Sequence, residues 1–213
     1  MIGAMITLVS QKLPKYVDAK PFDIQVLTPT RKYDTGMAAL NVRLQAALNP
    51  PSSEKKERRF GETVFREGDR VMQTRNDYDV VWQKEDGTAG TGIFNGDVGK
   101  IAKIDPSGEL LEIVFDDRTA TYTSDMLAEL DMAYAMTVHK AQGSEYRGVV
   151  FIGAPCAPSL MVRGVLYTAI TRARELLVIV GDDSAVNKMA ENDRRSRRYS
   201  GLKWRLRKGG EEK

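Results

Sequence analysis

A glycine-containing run of polar side chains occupies residues 137–146, with the sequence Thr-Val-His-Lys-Ala-Gln-Gly-Ser-Glu-Tyr. Its hydroxyl, imidazole, ammonium, amide and carboxylate groups give an unusual density of hydrogen-bonding side chains for a loop. We predict that the run connects a short strand at residues 133–135 to a helix, which is where open parallel sheets bind ligands. His139 is the single histidine of the chain, and a lone histidine is more often a structural residue than a ligand.

A second candidate segment, residues 166–174, ends in the two arginines Arg172 and Arg174. We predict a helix over residues 165–171 and a fully buried strand over residues 176–180, so the arginines follow the helix. An arginine in that place complements the negative end of the helix dipole. The functional alternative is a guanidinium that neutralises phosphate charge in a transition state. The spacing alone does not decide between the two.

A third segment, residues 27–32, has the sequence Leu-Thr-Pro-Thr-Arg-Lys and follows a strand predicted at residues 24–27. Its hydroxyl and amide groups suit contacts with a phosphate backbone, and it is equally suited to be an ordinary strand-to-helix loop. We expect Thr35 to cap the next helix. That helix has one apolar face, formed by Leu40, Leu44 and Leu48, and Asn-Pro-Pro at residues 49–51 ends it.

Several common kinds of site are missing from the sequence. There is no G-x-x-x-x-G-K-[ST] motif and no Asp-Glu dipeptide of the kind that ends a strand and binds magnesium. The chain therefore lacks the usual P-loop means of binding a nucleoside triphosphate and its metal. One cysteine, Cys156, and one histidine exclude an internal disulfide framework, a multi-histidine metal site and the usual nucleophilic triads.

The composition is that of a globular protein. Hydrophobic residues make up 42% and charged residues 29% of the 213 residues, which excludes the disordered and fibrous classes. The longest apolar runs are too short to cross a bilayer, so we expect no membrane contact and a reducing, cytoplasmic location. The net charge of +3 is uneven, because residues 191–213 carry +5 and the rest carry −2. Such a tail either attracts phosphates or is simply a solvated terminus.

The middle of the chain, residues 61–130, differs in character from both ends. Short β-type runs alternate there with turn signals such as Asn-Gly-Asp at residues 95–97, a pattern that favours a small β-barrel. We expect residues 52–59 to form a charged linker and residues 84–92 to form a mobile loop. The predicted strands of the barrel cover residues 64–65, 70–73, 93–94, 98–104, 111–115 and 119–123.

The flanking segments, residues 1–60 and 131–192, alternate apolar strands with helices. Asp182 or Asp183 is expected to cap the last helix. Apolar strands that alternate with helices indicate a parallel sheet covered on both faces. The predicted fold class is therefore α/β, with one sheet interrupted by a small barrel and with residues 193–213 as a basic tail.

The three candidate segments, in this order, resemble the C-terminal motor half of superfamily 1 DNA helicases of the RecD-like branch, which is related to the exodeoxyribonuclease V alpha subunit. Residues 137–145 resemble motif V in the form T-x-H-K-x-Q-G-x-E, and residues 167–174 resemble motif VI in the form Y-x-A-x-T-R-A-R. Residues 25–36 resemble the motif IV region, and residues 65–73 with 94–99 resemble the SH3-like insert of this branch. The resemblance implies a RecA-like parallel sheet flanked by helices and interrupted by a small SH3-like β-barrel.

The same resemblance implies roles for individual residues. Arg172 matches the motif VI arginine that reaches the γ-phosphate of the nucleotide. Gly143 and Glu145 match motif V positions near the γ-phosphate and the ribose, and Thr137 and His139 match motif V positions that face the single strand. The remaining candidates are Thr28 and Pro29 in the DNA-side loop of motif IV and, with weaker support, Arg31 and Gln142. No metal ligand is implied.

A chain of this family would be the C-terminal part of an ATP-dependent DNA helicase. ATP and Mg²⁺ would bind mainly to an N-terminal motor domain, which supplies the P-loop and the magnesium-binding acid, so this chain alone is expected to be inactive. The implied partners are single-stranded DNA and that N-terminal motor domain, and the implied movement is 5′-to-3′.

Two other classes of function stay open. The chain is alternatively a nucleic-acid-binding module without catalysis, in which the barrel and the basic tail bind DNA. In the helicase interpretation, Tyr78, Trp82 and Phe94 offer base-stacking faces with which the barrel would guide the strand, although Phe94 suits a core position equally well. An interaction domain of a larger repair complex is a third interpretation, for which the sequence offers no partner motif.

Overall fold

The computed structural model describes residues 1–194. Apart from its first two positions, the predicted basic tail therefore lies outside the described residues. The helices are α1 (Ile2–Thr7), α2 (Leu13–Tyr16), α3 (Met37–Leu48), α4 (Arg163–Ile170) and α5 (Asp183–Glu191), with short π- or 3-10-helical turns at Leu8–Lys12, Pro21–Asp23 and Ser124–Glu129. The strands are β1 (Ile24–Thr28), β2 (Glu57–Phe60), β3 (Thr63–Arg66), β4 (Arg70–Gln73), β5 (Asp77–Gln83), β6 (Ala89–Ile93), β7 (Val98–Ile104), β8 (Leu110–Phe115), β9 (Arg118–Thr123), β10 (Leu130–Met132), β11 (Ala135–Thr137), β12 (Tyr146–Gly153) and β13 (Ala173–Gly181).

Four parallel strands form the main sheet, in the order β11-β1-β12-β13. Side chains alternate between its faces, as expected for the period of two in a strand. On β1, Ile24 and Val26 pack with α1, α2 and α3, whereas Leu27 packs with α4 and α5 on the opposite face. A parallel sheet covered by helices on both faces confirms the predicted fold class.

Strands β2–β10, which we call the insert, interrupt this sheet between β1 and β11. Seven of them form an antiparallel sheet in the order β10-β4-β7-β8-β9-β5-β6, and β2 and β3 form a separate hairpin. The insert has its own apolar core, in which Ile101, Phe115 and Tyr122 are fully buried. Gly99 permits close strand packing, because a Cβ atom at this position would lie 2.8 Å from the Phe115 ring. The sequence boundaries proposed for the insert, residues 61–130, stay a prediction.

The short edge strand β11 is covered by a side chain of α3. Asn41 donates from Nδ2 to the carbonyl oxygens of Met132 and Ala135, both at 3.0 Å, and its Oδ1 accepts from the Ala135 amide at 2.7 Å. A single amide side chain thus fixes the point at which the chain returns from the insert to the parallel sheet.

Several local predictions were wrong in instructive ways. The N-cap of α3 is Gly36 rather than Thr35, whose carbonyl oxygen instead accepts a hydrogen bond from Thr28. Residues 52–59 are not entirely linker, because β2 begins at Glu57 and pairs with β3. Residues 84–92 are not entirely loop, because β6 begins at Ala89 and pairs with β5. Strand β13 is half-exposed rather than fully buried, because it lies at the edge of its sheet.

Candidate functional site

The predicted functional residues lie at two opposite edges of the parallel sheet. At one edge the carboxyl ends of β1 and β11 place Thr28 beside Thr137. At the other edge the amino ends of β12 and β13 place Tyr146 beside Ala173. From the register between β1 and β12 and the usual rise per residue of a strand, these two edges of the sheet lie about 20 Å apart. We call them the carboxyl edge and the amino edge.

The polar run at residues 137–146 connects these edges. The prediction of a strand-to-helix connection was wrong, because β11 ends at Thr137 and the next regular element is β12, which begins at Tyr146. The connection therefore runs from the carboxyl edge of the sheet back to the amino edge. As a result, the first half of the run lies beside the carboxyl end of β1, whereas Gly143 and Glu145 lie near the start of β13.

Arg172 lies at the amino edge, in the link between α4 and β13, and is half-buried. Its Nη1 donates to the Ser144 carbonyl oxygen at 2.9 Å, and its Nε donates to the Thr168 carbonyl oxygen at 3.3 Å. The Tyr146 amide donates to the Arg172 carbonyl oxygen at 2.8 Å. The side chain therefore satisfies a carbonyl in the last turn of α4 and also contacts the loop that carries Gly143 and Glu145.

The other candidates at the amino edge are open to solvent. Gly143 is exposed and has a φ of +95°, a left-handed conformation that glycine adopts without strain. Glu145 accepts a hydrogen bond from Arg174, with 2.8 Å between Oε2 and Nε, and both side chains are about half-exposed or more. A surface pair of this kind contributes little to folding stability. The side chains of Glu145 and Arg174 therefore remain accessible to a ligand.

The carboxyl edge holds the residues predicted to face DNA, and several of them are buried. Thr28 is fully buried, Thr137 is 6% exposed and Pro29 is buried. The Thr28 hydroxyl donates to the Thr35 carbonyl oxygen at 2.8 Å, and the Thr28 carbonyl oxygen accepts from the Val138 amide at 3.0 Å. These three side chains support the loops at this edge, and their part in DNA binding stays a prediction.

His139 and Gln142 are exposed at the mouth of a cavity of about 530 Å³. The opposite wall of this cavity comes from α4, including Tyr167 and Thr168. The structure thus brings the polar run of residues 137–146 and α4 together around one concave surface. Tyr167 is 67% exposed there, a feature that the sequence analysis did not single out.

An acidic residue of the insert connects two basic residues at the carboxyl edge. Asp131 Oδ2 lies 2.7 Å from Lys140 Nζ and 3.5 Å from Arg31 Nη2. Sequence reasoning noted the density of donors around Lys140 but missed Asp131. No local pattern identifies this aspartate, because it reaches the site from the last strand of the insert.

Residues 1–194 contain neither a cluster of metal ligands nor a membrane-spanning helix. No group of three or more His, Cys, Asp or Glu side chains in that range is arranged to hold a metal ion. Among the helices in the same range, none is both long and apolar enough to span a membrane.

Two family models match the chain. Residues 40–115 match the SH3 domain of ATP-dependent RecD-like DNA helicases, and residues 132–180 match the C-terminal domain of UvrD-like helicases. The first match falls mainly on the insert and the second on the part of the parallel sheet that carries Arg172. Together they cover both structural units described above.

Curated relatives agree with these matches. The chain is 37% identical to the ATP-dependent RecD2 DNA helicase of Deinococcus radiodurans over 83% of its own length and 22% of the relative. It is 30% identical to the RecBCD enzyme subunit RecD of Mycobacterium tuberculosis over 87% of its own length and 29% of that relative. The chain therefore spans less than a third of the length of these relatives.

A solved structure shares the fold. The Pif1 helicase from Bacteroides, crystallised with ADP-AlF3 and single-stranded DNA, superposes with a TM-score of 0.51 at 16% identity. The match covers 98% of this chain and 50% of that one.

Proposed function

The chain belongs to the RecD-like superfamily 1 helicases, as their C-terminal motor region with its SH3-like insert, and on this premise we propose that it works as part of an ATP-dependent DNA helicase. Its role is to supply an arginine finger to the nucleotide and part of the track for single-stranded DNA. The observation that carries the proposal is the placement of Arg172 at the amino edge, with Nη1 2.9 Å from the Ser144 carbonyl oxygen.

The amino edge suits the phosphate end of a nucleotide. The guanidinium of Arg172 is a permanent planar cation that can donate to phosphate oxygens, and exposed Gly143 leaves room for a ligand beside it. When the cleft closes, Arg172 neutralises charge that develops on the transferred phosphoryl group, an effect of roughly 10³–10⁵ in rate for arginine fingers. Glu145 then lies where it can accept a hydrogen bond from the ribose.

The remaining parts of the reaction belong to a second domain. A P-loop and an acidic magnesium ligand are assigned to an N-terminal motor domain, so that ATP and Mg²⁺ bind mainly there and the present chain is inactive alone. The carboxyl edge, with exposed His139 and with Thr28, Pro29 and Thr137 beneath the surface, is assigned to single-stranded DNA. Movement 5′-to-3′ and a cytoplasmic location complete the proposal.

Complementation tests the assignment of Arg172. The chain alone should hydrolyse no ATP, and addition of the N-terminal motor domain should restore DNA-stimulated hydrolysis. In the restored complex, Arg172→Ala should lower kcat by roughly 10³-fold, because it removes the cation that stabilises the transition state. The circular dichroism spectrum of the variant chain should match that of the wild type.

A matched control comes from the same edge. Arg147 is at the start of β12, and its guanidinium binds Glu175 and the Val17 carbonyl oxygen. Arg147→Ala should therefore leave kcat within about threefold of the wild type. Full ATPase activity in the Arg172→Ala complex contradicts the arginine-finger assignment.

A non-catalytic nucleic-acid-binding module remains a second candidate because of one observation on the insert. Tyr78 and Phe94 are 65% and 39% exposed and contact each other edge to face, with ring centroids 5.5 Å apart. An exposed aromatic pair suits base stacking. Tight binding of an oligonucleotide by the isolated chain, lost on deletion of residues 191–213, would favour this candidate. Weak binding that needs the N-terminal domain and nucleotide would favour the motor.

A further inference from the structure

Arg70 of β4 is a buried cation with no acidic partner in the described part of the chain. The residue is 7% exposed, and no carboxylate oxygen of residues 1–194 lies within 4 Å of its guanidinium. Its Nη1 donates to the Phe22 carbonyl oxygen at 2.8 Å, while Nε has no hydrogen-bond partner. Burial lowers the pKa of Arg70. An unpaired buried charge opposes folding, so its presence calls for another explanation.

The guanidinium of Arg70 lies near two aromatic rings. Its Cζ atom lies 5.6 Å from the ring centroid of Phe22 and 5.9 Å from that of Tyr146. Contacts of this kind partly compensate a desolvated cation. Tyr146 follows Glu145 directly, and its amide donates to the Arg172 carbonyl oxygen at 2.8 Å. Arg70 is therefore a side chain of the insert that reaches the amino edge.

The surrounding charges argue against an anionic ligand for Arg70. The groove of about 460 Å³ beside it is lined by Asp23, Asp97, Asp116 and Glu145 as well as by basic side chains. Two of these carboxylates have partners of their own, since Asp97 pairs with Arg118 and Glu145 pairs with Arg174. The other two carboxylates, of Asp23 and Asp116, still balance the positive charges of Arg70 and Lys100 in the groove. Beside its hydrogen bond to the Phe22 carbonyl oxygen, the aromatic contact is then the interaction that Arg70 makes at this edge.

We propose that Arg70 is a positioning residue for the arginine finger, which it places by holding Tyr146. The ring of Tyr146 is fixed from the insert side by Arg70, and the backbone amide of Tyr146 binds the Arg172 carbonyl oxygen just before β13. The position of the insert thereby sets the position of the Arg172 guanidinium. This inference rests on the proposed function and adds to it a link between the insert and ATP hydrolysis.

The kinetic test uses the full helicase. Arg70→Gln, which replaces the guanidinium with a shorter, neutral amide, should lower kcat of DNA-stimulated ATP hydrolysis about tenfold and leave KM for ATP within about threefold. Arg70→Lys keeps a cation for the ring and should stay within about threefold of wild-type kcat. In a Tyr146→Leu background, Arg70→Gln should change kcat less than about twofold, because the two residues act through one contact.

Arg118 provides the matched control. It is a second arginine of the insert near an aromatic ring, with Cζ 5.9 Å from the Trp82 ring centroid, but it is only partly buried and pairs with Asp97. Arg118→Gln should leave kcat unchanged, and a loss equal to that of Arg70→Gln overturns the inference. Unchanged kcat in Arg70→Gln also overturns it. If the wild-type helicase shows no DNA-stimulated ATP hydrolysis, the proposed function is refuted rather than this inference.

A second measurement does not depend on catalysis. In the 213-residue chain, amide hydrogen exchange of the peptide that contains Tyr146 should be about tenfold faster in Arg70→Gln than in wild type or Arg118→Gln. Equal exchange in all three proteins overturns the inference. If Arg70→Gln does not fold, Tyr146→Leu removes the same contact from the other side. An unchanged kcat in Tyr146→Leu also overturns the inference.

Discussion

At the scale of single residues, Arg172 and Arg174 show how far a motif predicts its own chemistry. The sequence predicts that both arginines follow a helix, and the structure shows that their side chains bind different partners. Arg172 is half-buried against the Ser144 carbonyl oxygen, whereas Arg174 is exposed beside the Glu145 carboxylate. These partners lie almost thirty positions away in the chain, so no local pattern predicts which arginine is held in place.

The Asp131 carboxylate gives a prediction at the same scale. It pairs with Lys140 and Arg31 at the proposed DNA edge. Asp131→Asn removes one negative charge there, so the affinity of the full helicase for single-stranded DNA should rise about threefold to tenfold in low salt, with a smaller gain in high salt. Fluorescence anisotropy with a labelled oligonucleotide measures the change.

The Glu175 carboxylate supplies the control for this measurement. It pairs with Arg147 at 2.7 Å, but at the amino edge rather than the carboxyl edge. Glu175→Gln removes the same charge and should leave DNA affinity unchanged. An equal gain in both variants would show that only net charge matters, and the assignment of the carboxyl edge would then fail.

At the scale of elements, the connection between β11 and β12 is the largest departure from the sequence prediction. A polar run after a short strand favours a helix, yet the chain uses these residues to return across the sheet. The strand β12 that follows is buried along most of its length, and it must start at the amino edge to pair in parallel with β1. Tertiary pairing, which single-sequence patterns do not contain, therefore decided the conformation of this segment.

Two strands of the insert were predicted correctly, one of them buried along its whole length and the other alternating. β4 and β7 have the predicted bounds, and buried and exposed positions alternate along most of β7. β5 was missed because its sequence, Asp-Tyr-Asp-Val-Val-Trp-Gln, exposes apolar and charged side chains alike. Because Val80 is the single buried residue of β5, the strand shows little of the alternation between apolar and polar side chains that identifies strands.

The cap of α5 gives a prediction for an element. The Asp182 carboxylate accepts from the Ser184 amide at 2.8 Å, and hydrogen bonds to Ser184 lower the pKa of Asp182. A lowered pKa means that the cap stabilises the fold above the ordinary pKa of an aspartate and loses that effect as the pH falls through the lowered value. Asp182→Ala should therefore lower Tm at neutral pH, with a difference that shrinks in acid.

The adjacent Asp183 is the natural comparison. It lies in the first turn of α5, after the N-cap residue. Asp183→Ala should change Tm less than Asp182→Ala at neutral pH in thermal melts of the chain. Equal effects of the two substitutions would indicate that helix-dipole charge, and not the capping hydrogen bond, stabilises α5.

At the scale of the whole molecule, a buried carboxylate joins the insert to the parallel-sheet unit. Asp69 is fully buried and accepts from the Gln45 and Asn49 side chains, the Tyr134 hydroxyl and the Arg66 amide, at 2.6–2.8 Å. Burial raises the pKa of Asp69, while these hydrogen bonds act in the opposite direction. The donors come from α3, from the insert and from the segment that returns to β11.

Asp69→Asn tests this junction. The amide keeps the size of the side chain but turns its NH₂ group toward donors, which leaves buried groups unpaired. We expect the free energy of unfolding to fall by about 3 kcal/mol in urea denaturation of the chain. Glu112→Gln, an exposed carboxylate on β8, should change it by less than about 0.5 kcal/mol. Similar values for the two variants would contradict the role of Asp69.

Most of the architecture followed from patterns in the sequence, whereas the junctions between its parts did not. Apolar strands that alternate with helices predicted the parallel sheet, and short runs with turn signals predicted the insert. The contacts of Asp69, Arg70 and Asp131 join segments that lie up to 100 positions apart. Such contacts depend on how two folded units meet, which composition and periodicity do not encode.

The amide of Asn41 has a consequence for encounters between copies of the chain. The N–H and C=O groups of Ala135 are the ones that an incoming polypeptide would use to extend the sheet beyond β11. Both are already bonded within the same molecule. A neighbouring chain therefore finds no free backbone groups at Ala135, and Asn41→Ala would expose them and favour self-association.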